Sequence, residues 1–368
     1  VAELEAIRGI PLSERYREKP LQKGHGKIRL VYNPSFKIRL IQNLINTRLF
    51  KDLIWWPEFL FGSLPNSLHE ERLIERDYIA CASVHCGAKS IYKIDISDFF
   101  DSIHKDFVYE IFSKLFSYPH EVAEYLTDVC CYENKIPQGG LTSSYIATAC
   151  FWDLEGEVVK KLSRKGLKYT RLVDDITVST TVSNYDFSYV DRHVRDMLIA
   201  KDLPVNESKT LALYSGMAPL FVHGLRVDFK QPRLPAKEIA NVRASVHNVC
   251  SWAKVDSYRT SVTYRAAFDR CLGRVNKLAR VGHEKHAVYV AKLRKVAPLP
   301  SQFDIDSAEA SISRLEKIST AKLVSVKYKR HFALVRYRIT IIKRRFPSIA
   351  EKFKLRLRAL EVRRNAAL

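Results

Sequence analysis

The chain has 368 residues, 46% hydrophobic and 27% charged, which is enough to bury a large core in two or three subdomains and excludes wholesale disorder. Its formal net charge of +21 points to a polyanionic partner, nucleic acid before membrane. Residues 321–368 hold fifteen Lys/Arg against two Glu, too lopsided for the ordinary ion-pair patterning of a solvated helix face. The seven cysteines form no CxxC pair, which suits a reduced, cytoplasmic protein, and Cys81, His85 and Cys86 lack the second Cys/His pair a zinc site needs. No signal peptide or transmembrane run is apparent: the apolar stretch 53–64 is too short and contains Pro57 and Glu58.

Taken in order, residues 1–20 read as a helix and a polar connector ending at Pro20. Gly24 and Gly26 then break a basic hairpin whose second strand runs from Ile28 to Tyr32, with Lys23, Lys27 and Arg29 placed to clamp phosphates. Ile38, Ile41, Leu44, Ile45 and Leu49 keep helical period. Residues 50–88 read as irregular to helical, with Trp55, Trp56, Phe59 and Phe61 expected in packing.

Ile91, Ile94 and Ile96 predict a buried strand carrying Asp95, and a carboxylate among apolar neighbours must be paired, protonated or metal-bound. Asp98 and Asp101 flank Phe99-Phe100 where strand gives way to helix, so they are expected to cap. The turn Pro137-Gln138-Gly139-Gly140 lets backbone approach a base pair or a phosphate, and it feeds a helix predicted over 145–162 with Thr142 and Ser143 as N-cap candidates. Leu172-Val173 and Ile176-Thr177-Val178 enclose Asp174 and Asp175, a tight hairpin with acid at its tip. Two crowded like charges ask for a cation. Val190, Val194 and Leu198 mark another helix, and a strand pair follows at 211–214 and 221–227 with Gly224 between. Beyond 235 the pattern is helical, with a linker at 298–300 and basic helices over 306–368 broken near Pro347.

The order of these features is more specific than any one of them. "IDISDFFDSI", "IPQGGLTSS", "RLVDDITVS" and "NESKT" resemble the motifs of reverse transcriptases in order and spacing over roughly residues 20–300, and "AAFDRCLGRVNKLARVGHEKHAVYVAKL" is similar to the thumb of bacterial retron-type enzymes. The resemblance implies an α+β right-hand polymerase: fingers at 1–88, an RRM-like antiparallel palm sheet at 89–230, a helical thumb at 231–300 and a basic, RNA-binding helical extension at 301–368.

It also implies roles. Asp95 and Asp174 resemble the pair that bridges two divalent ions, and Asp175 the third carboxylate; Mg2+ is expected, with Mn2+ as a substitute. Lys209 matches a position near the pyrophosphate. Lys27 and Arg29 would hold the triphosphate, Phe100 would gate against a 2′-hydroxyl, and Gln138 with Gly139 and Gly140 would lie near the template base. Leu172 and Gly224 would face the primer. Three departures stand out. "CASVH" is similar to the retron NAxxH element with Cys81 in place of Asn, "VHG" to the VTG element with His223 in place of Thr, and Leu172 replaces an aromatic residue.

The expected function is RNA-directed synthesis of cDNA from dNTPs on a dedicated structured non-coding RNA, in a retron or related anti-phage defence system with an effector protein encoded nearby. Two alternatives stay open at this point: a template-independent or protein-primed DNA polymerase, and a maturase-like RNA-binding protein.

Overall fold

Ser90–Asp95 alternates residues destined for two different faces, and the sheet around it is built on that alternation. In the computed structural model, which describes residues 9–22, 28–69, 71–319, 323 and 325–365, eleven strands are seen among the described residues. They are β1 (Tyr16–Gln22), β2 (Ile28–Pro34), β3 (Leu60–Phe61), β4 (Ser67–His69), β5 (Arg72–Ile74), β6 (Ser90–Asp95), β7 (Lys168–Leu172), β8 (Asp175–Thr180), β9 (Leu211–Tyr214), β10 (Phe221–Val222) and β11 (Leu225–Arg226). Five of them form the central sheet in the order β3-β7-β8-β6-β9, antiparallel except where β3 joins β7.

One face of this sheet presents Tyr92, Ile94, Tyr169, Arg171, Ile176 and Val178, all buried. The helices Glu155–Ser163 and Ser188–Ile199 cover it: Glu155 bonds Tyr169 and Arg171, and Asp191 accepts from the Tyr92 hydroxyl. Burying each of the large apolar side chains contributes about 1.5–3 kcal/mol. The opposite face is polar, with Lys93, Asp95, Thr170, Asp175, Thr177 and Ser179, and the short helix Tyr78–Val84 lies against it through Cys81 and, just beyond its end, His85.

The fold is α+β, as expected, and four local expectations are corrected. The stretch ending at Pro20, expected as a polar connector, is part of β1, because Tyr16–Gln22 pairs along its whole length with β2 and Tyr16 is buried under Gln42; Pro20 is tolerated because a two-stranded ribbon has only edges. The helix predicted over 145–162 is two helices, Ser143–Ala149 and Glu155–Ser163, since a turn re-aims the chain to bring Glu155 beneath β7. Thr142 and Ser143 do not cap: the N-cap makes no side-chain bond and the Ser143 hydroxyl donates to the Pro137 carbonyl. Asp98 stands at an N-cap position in the left-handed region without a capping bond, and Asp101 pairs with Lys135 at 2.8 Å. Of the aromatic run, Trp56 and Phe61 are buried and Phe59 packs edge-on against Tyr169, whereas Trp55 is exposed.

The chain divides into two units between Arg233 and Leu234. In the second unit, the helices Ala236–Trp252, Val262–Arg280 and Lys285–Lys295 pack on one another, as do Gln302–Glu316, Val326–Ile342 and Pro347–Asn365. The latter three enclose Ile312, Leu315, Phe332, Val335, Ile339, Phe353 and Leu357. Pro347 opens the last helix, where its missing N–H costs nothing. Lys327, Lys329, Arg330, Arg336, Lys343 and Arg345 stay exposed on this bundle. Among the described residues no helix is long and apolar enough to cross a membrane.

Candidate active site

The β7–β8 register pairs Leu172 with Asp175, leaving Val173 and Asp174 as a two-residue turn. The β6–β8 register sets Asp95 directly opposite Asp175. Cross-strand partners share a face, so sheet geometry itself crowds these two carboxylates. Asp174 joins them from the turn, which the Ile96 amide holds by donating to the Asp174 carbonyl at 3.1 Å.

The turn is strained. Val173 has φ +60°, a region a β-branched residue enters at a cost of about 1–3 kcal/mol. Arg171 holds it there. The fully buried Arg171 donates Nη1 to the Val173 carbonyl at 3.0 Å, while Nε and Nη2 grip both Glu155 oxygens at 2.7 Å. Burial works to discharge the guanidinium, and Glu155 overrides it, keeping Arg171 above its ordinary value. Gly62 gives room beneath: a Cβ there would lie 2.9 Å from Val173 Cγ2.

Electrostatics at the tip follow from crowding. Burial raises the Asp174 carboxyl above its usual value, and the nearby Asp95 and Asp175 charges raise it further. Asp95 accepts from Asn206 Nδ2 at 3.0 Å and from Lys209 Nζ at 2.9 and 3.1 Å. That bond holds the Lys209 ammonium above its ordinary value. The Asn206 amide also donates to the Asp95 carbonyl at 2.8 Å, so the NESK loop is tied to the end of β6 by both backbone and side chain.

The three carboxylates fit a hard divalent cation in donor chemistry. Asp174 is a crowded, partly buried carboxylate whose charge such an ion would balance, although among the described residues no three His/Cys/Asp/Glu side chains stand at ready metal-holding geometry.

The other predicted positions fall into place unevenly. The PQGG turn docks on the protein's own β2: Tyr32 N donates to the Gln138 carbonyl at 2.7 Å. A Cβ on Gly139, at φ +107°, would lie 2.6 Å from the Tyr32 carbonyl oxygen, so this glycine serves the approach of the β1–β2 hairpin. Gly140 is closed in by Ser143 and Pro137. Arg29 is exposed on β2; Lys27 lies outside the described residues. Phe100 is half-buried beside Phe99. Leu172 ends β7, half-buried next to the turn. His223 and Gly224, both at positive φ, form the two-residue loop of a separate β10–β11 hairpin, not a break between two long strands.

Sequence reasoning missed Asn206 as a partner of Asp95, the Glu155–Arg171 pair, and what His223 touches. His223 Nδ1 lies 3.3 Å from Asp175 Oδ2, and its Nε2 lies 3.2 Å from Cys81 Sγ. The available signal was that Cys81 and His223 are both departures from the retron elements.

Residues 20–252 match the family described as reverse transcriptase (RNA-dependent DNA polymerase). The chain is 47% identical over 367 residues to the retron Ec48 reverse transcriptase of Escherichia coli, covering 98% of this chain and 90% of that one. It is 30% identical over 355 residues to the retron Se72 reverse transcriptase of Salmonella heidelberg, covering 95% and 90%. Among solved structures, apo telomerase from Candida tropicalis is similar at a TM-score of 0.44 and 11% identity, over 97% of this chain and 66% of that one, too remote to add to the sequence match. With these relatives, the chain belongs to the reverse transcriptase (RNA-dependent DNA polymerase) family, among the retron enzymes.

Proposed function

We propose that this polymerase copies a dedicated structured non-coding RNA into cDNA with two Mg2+ ions, as part of a retron defence system in the cytoplasm. The observation that carries the reading is the convergence of Asp95, Asp174 and Asp175 at one end of the sheet with Lys209 against Asp95. A primer 3′-hydroxyl attacks the α-phosphorus of a dNTP and pyrophosphate leaves. Asp95, Asp174 and Asp175 would hold the divalent ions, whose charge would stabilise the attacking and the leaving oxygens. Lys209, released from Asp95, would donate a proton to the departing pyrophosphate.

The remaining roles follow the same reading. Arg29 on β2 holds the triphosphate, a role that the resemblance also gives to Lys27, and Gly139 admits the β1–β2 pair against the PQGG turn. Phe100 excludes the 2′-hydroxyl, and Gln138 lies under the template base. Leu172 and Gly224 face the primer. Residues 1–88, 89–230 and 231–300 act as fingers, palm and thumb. The basic helices beyond 301 grip RNA phosphates, so binding weakens steeply with salt.

The test is to purify the protein from its host locus, sequence the bound nucleic acid, and repeat after supplying dNTPs and Mg2+. A single structured RNA joined to complementary DNA is expected. Low-complexity DNA matching no bound RNA would favour template-independent synthesis instead, and RNA that never acquires DNA would favour a binding protein.

A further inference from the structure

The polar face of the sheet contains a chain of contacts that polymerisation as described does not use. His85, fully buried, meets Ser179 Oγ through Nδ1 and Thr170 Oγ1 through Nε2, both at 2.7 Å. Thr170 Oγ1 lies 3.3 Å from Cys81 Sγ, and Cys81 Sγ lies 3.2 Å from His223 Nε2. His223 Nδ1 then faces Asp175 Oδ2 at 3.3 Å. The two substituted positions of the retron elements, Cys81 and His223, are therefore in contact with each other, and one of them touches an active-site carboxylate.

These contacts admit a proton arrangement that runs through every group of the chain. Burial keeps His85 neutral, its value lowered to about 3, and keeps Cys81 a thiol, its value raised to about 12. An imidazole that donates to a carboxylate carries a proton on the facing nitrogen. That puts N–H at His223 Nδ1; in the tautomer with Nε2 bare, the Cys81 S–H can donate to it. With that S–H on His223, the Thr170 hydroxyl donates to the Cys81 sulfur, His85 Nε2–H donates to Thr170, and the Ser179 hydroxyl donates to His85 Nδ1. The backbone supports the same ring placement: His223 sits at φ +47° in a two-residue turn, where His is among the residues that tolerate the left-handed region.

We propose that His223 is a positioning residue for Asp175, donating from Nδ1 to hold one carboxylate oxygen while the other is free for a cation, and that Cys81 fixes the tautomer and direction of the ring. The Nδ1–Oδ2 separation is long for a hydrogen bond, as contacts at catalytic carboxylates commonly are before substrate draws them in. This is the arrangement by which outer partners orient carboxylate ligands. The inference rests on Asp175 belonging to the divalent-ion site of the proposed function.

The test uses the full chain freed of RNA by nuclease, with Mn2+ binding read by electron paramagnetic resonance and Asp174→Asn as the blank. Half-saturation of dNTP incorporation by Mg2+ on a supplied primed RNA is the second readout. His223→Gly keeps the turn and removes the ring; it is expected to weaken Mn2+ binding by about tenfold or more. His223→Asn tolerates the same backbone and places an amide N–H near the position of Nδ1, so it should restore most of the binding. Cys81→Ala should weaken binding in the wild-type background and have no effect beside His223→Asn, which has no second ring nitrogen to hold. Wild-type binding in His223→Gly, or an equal effect of Cys81→Ala in both backgrounds, overturns the inference. If Asp174→Asn itself binds Mn2+ like wild type, the metal-site reading has failed and takes this inference with it.

Discussion

Lys209 Nζ lies within 3.1 Å of both carboxylate oxygens of Asp95, so the protein's own cation sits against one of the acids of the proposed polymerase centre. The pair is mostly solvent-facing on the lysine side, so it adds little to stability. In the proposed mechanism its consequence is functional: the ammonium held charged by Asp95 is the one that would meet the departing pyrophosphate. Replacing Lys209 by Ala should lower the single-turnover rate of dNTP incorporation about 10²–10⁴-fold, the range for loss of a general acid. Lys209→Arg should not restore it, since a guanidinium keeps the charge but does not release a proton. Full activity in Lys209→Arg would reduce the role to electrostatics.

Asp174 carries a pH signature with a definite sign. Its carboxyl titrates above the ordinary value in the folded protein because it is buried beside Asp95 and Asp175. A raised carboxyl favours the folded state only while protonated. The penalty is absent below the unfolded value and fully present above the folded one. Without divalent ions, Asp174→Asn should therefore raise the thermal midpoint at about pH 8 and change it little at about pH 4. Mg2+ should stabilise wild type at about pH 8 and leave Asp174→Asn unmoved. Thermal unfolding in EDTA and in Mg2+ at the two pH values checks both arms.

The Glu155–Arg171 pair supports the active-site turn from inside the core. Truncating one partner strands a buried charge, so Glu155→Leu or Arg171→Leu should each cost about 3–5 kcal/mol in urea unfolding. The double replacement by apolar residues should recover much of the stability. It should not recover activity, because the Val173 carbonyl loses its donor and the strained turn is free to relax.

Two glycines at positive φ should behave differently. Gly139→Ala meets the Tyr32 carbonyl at 2.6 Å as well as backbone strain, so it should displace the β1–β2 hairpin and raise KM for dNTP. Gly224→Ala meets no atom within 4 Å and should cost about 1 kcal/mol from backbone strain alone. Steady-state kinetics and unfolding of the two variants separate the effects.

What the sequence makes legible is what local chemistry decides. The isoleucines of β6 and the flanks of Asp174-Asp175 announce a buried strand and a hairpin, and helical spacing places Phe36–Ile45 and Ser188–Ile199. Crowding of Asp95 with Asp174 and Asp175 was visible only through motif order, since strand register brings them together across some eighty residues. β1 was hidden because its residues are exposed and its strand state depends on pairing with β2. The break after Ala149 was hidden because Arg171, more than twenty residues away, draws Glu155 under the sheet. Cys81 and His223 stand 142 residues apart, and no periodicity connects them. Each stood out singly as a departure from a motif; only the fold shows that they touch.

The most direct test of the catalytic assignment is incorporation of a single dNTP on a primed RNA template with Mg2+, comparing wild type with Asp95→Asn and Asp174→Asn, each verified as folded. The assignment predicts extension by wild type and none measurable by either variant, with primed RNA still bound by all three. Extension by Asp95→Asn or Asp174→Asn at the wild-type rate would contradict it and place the polymerase centre elsewhere in the chain.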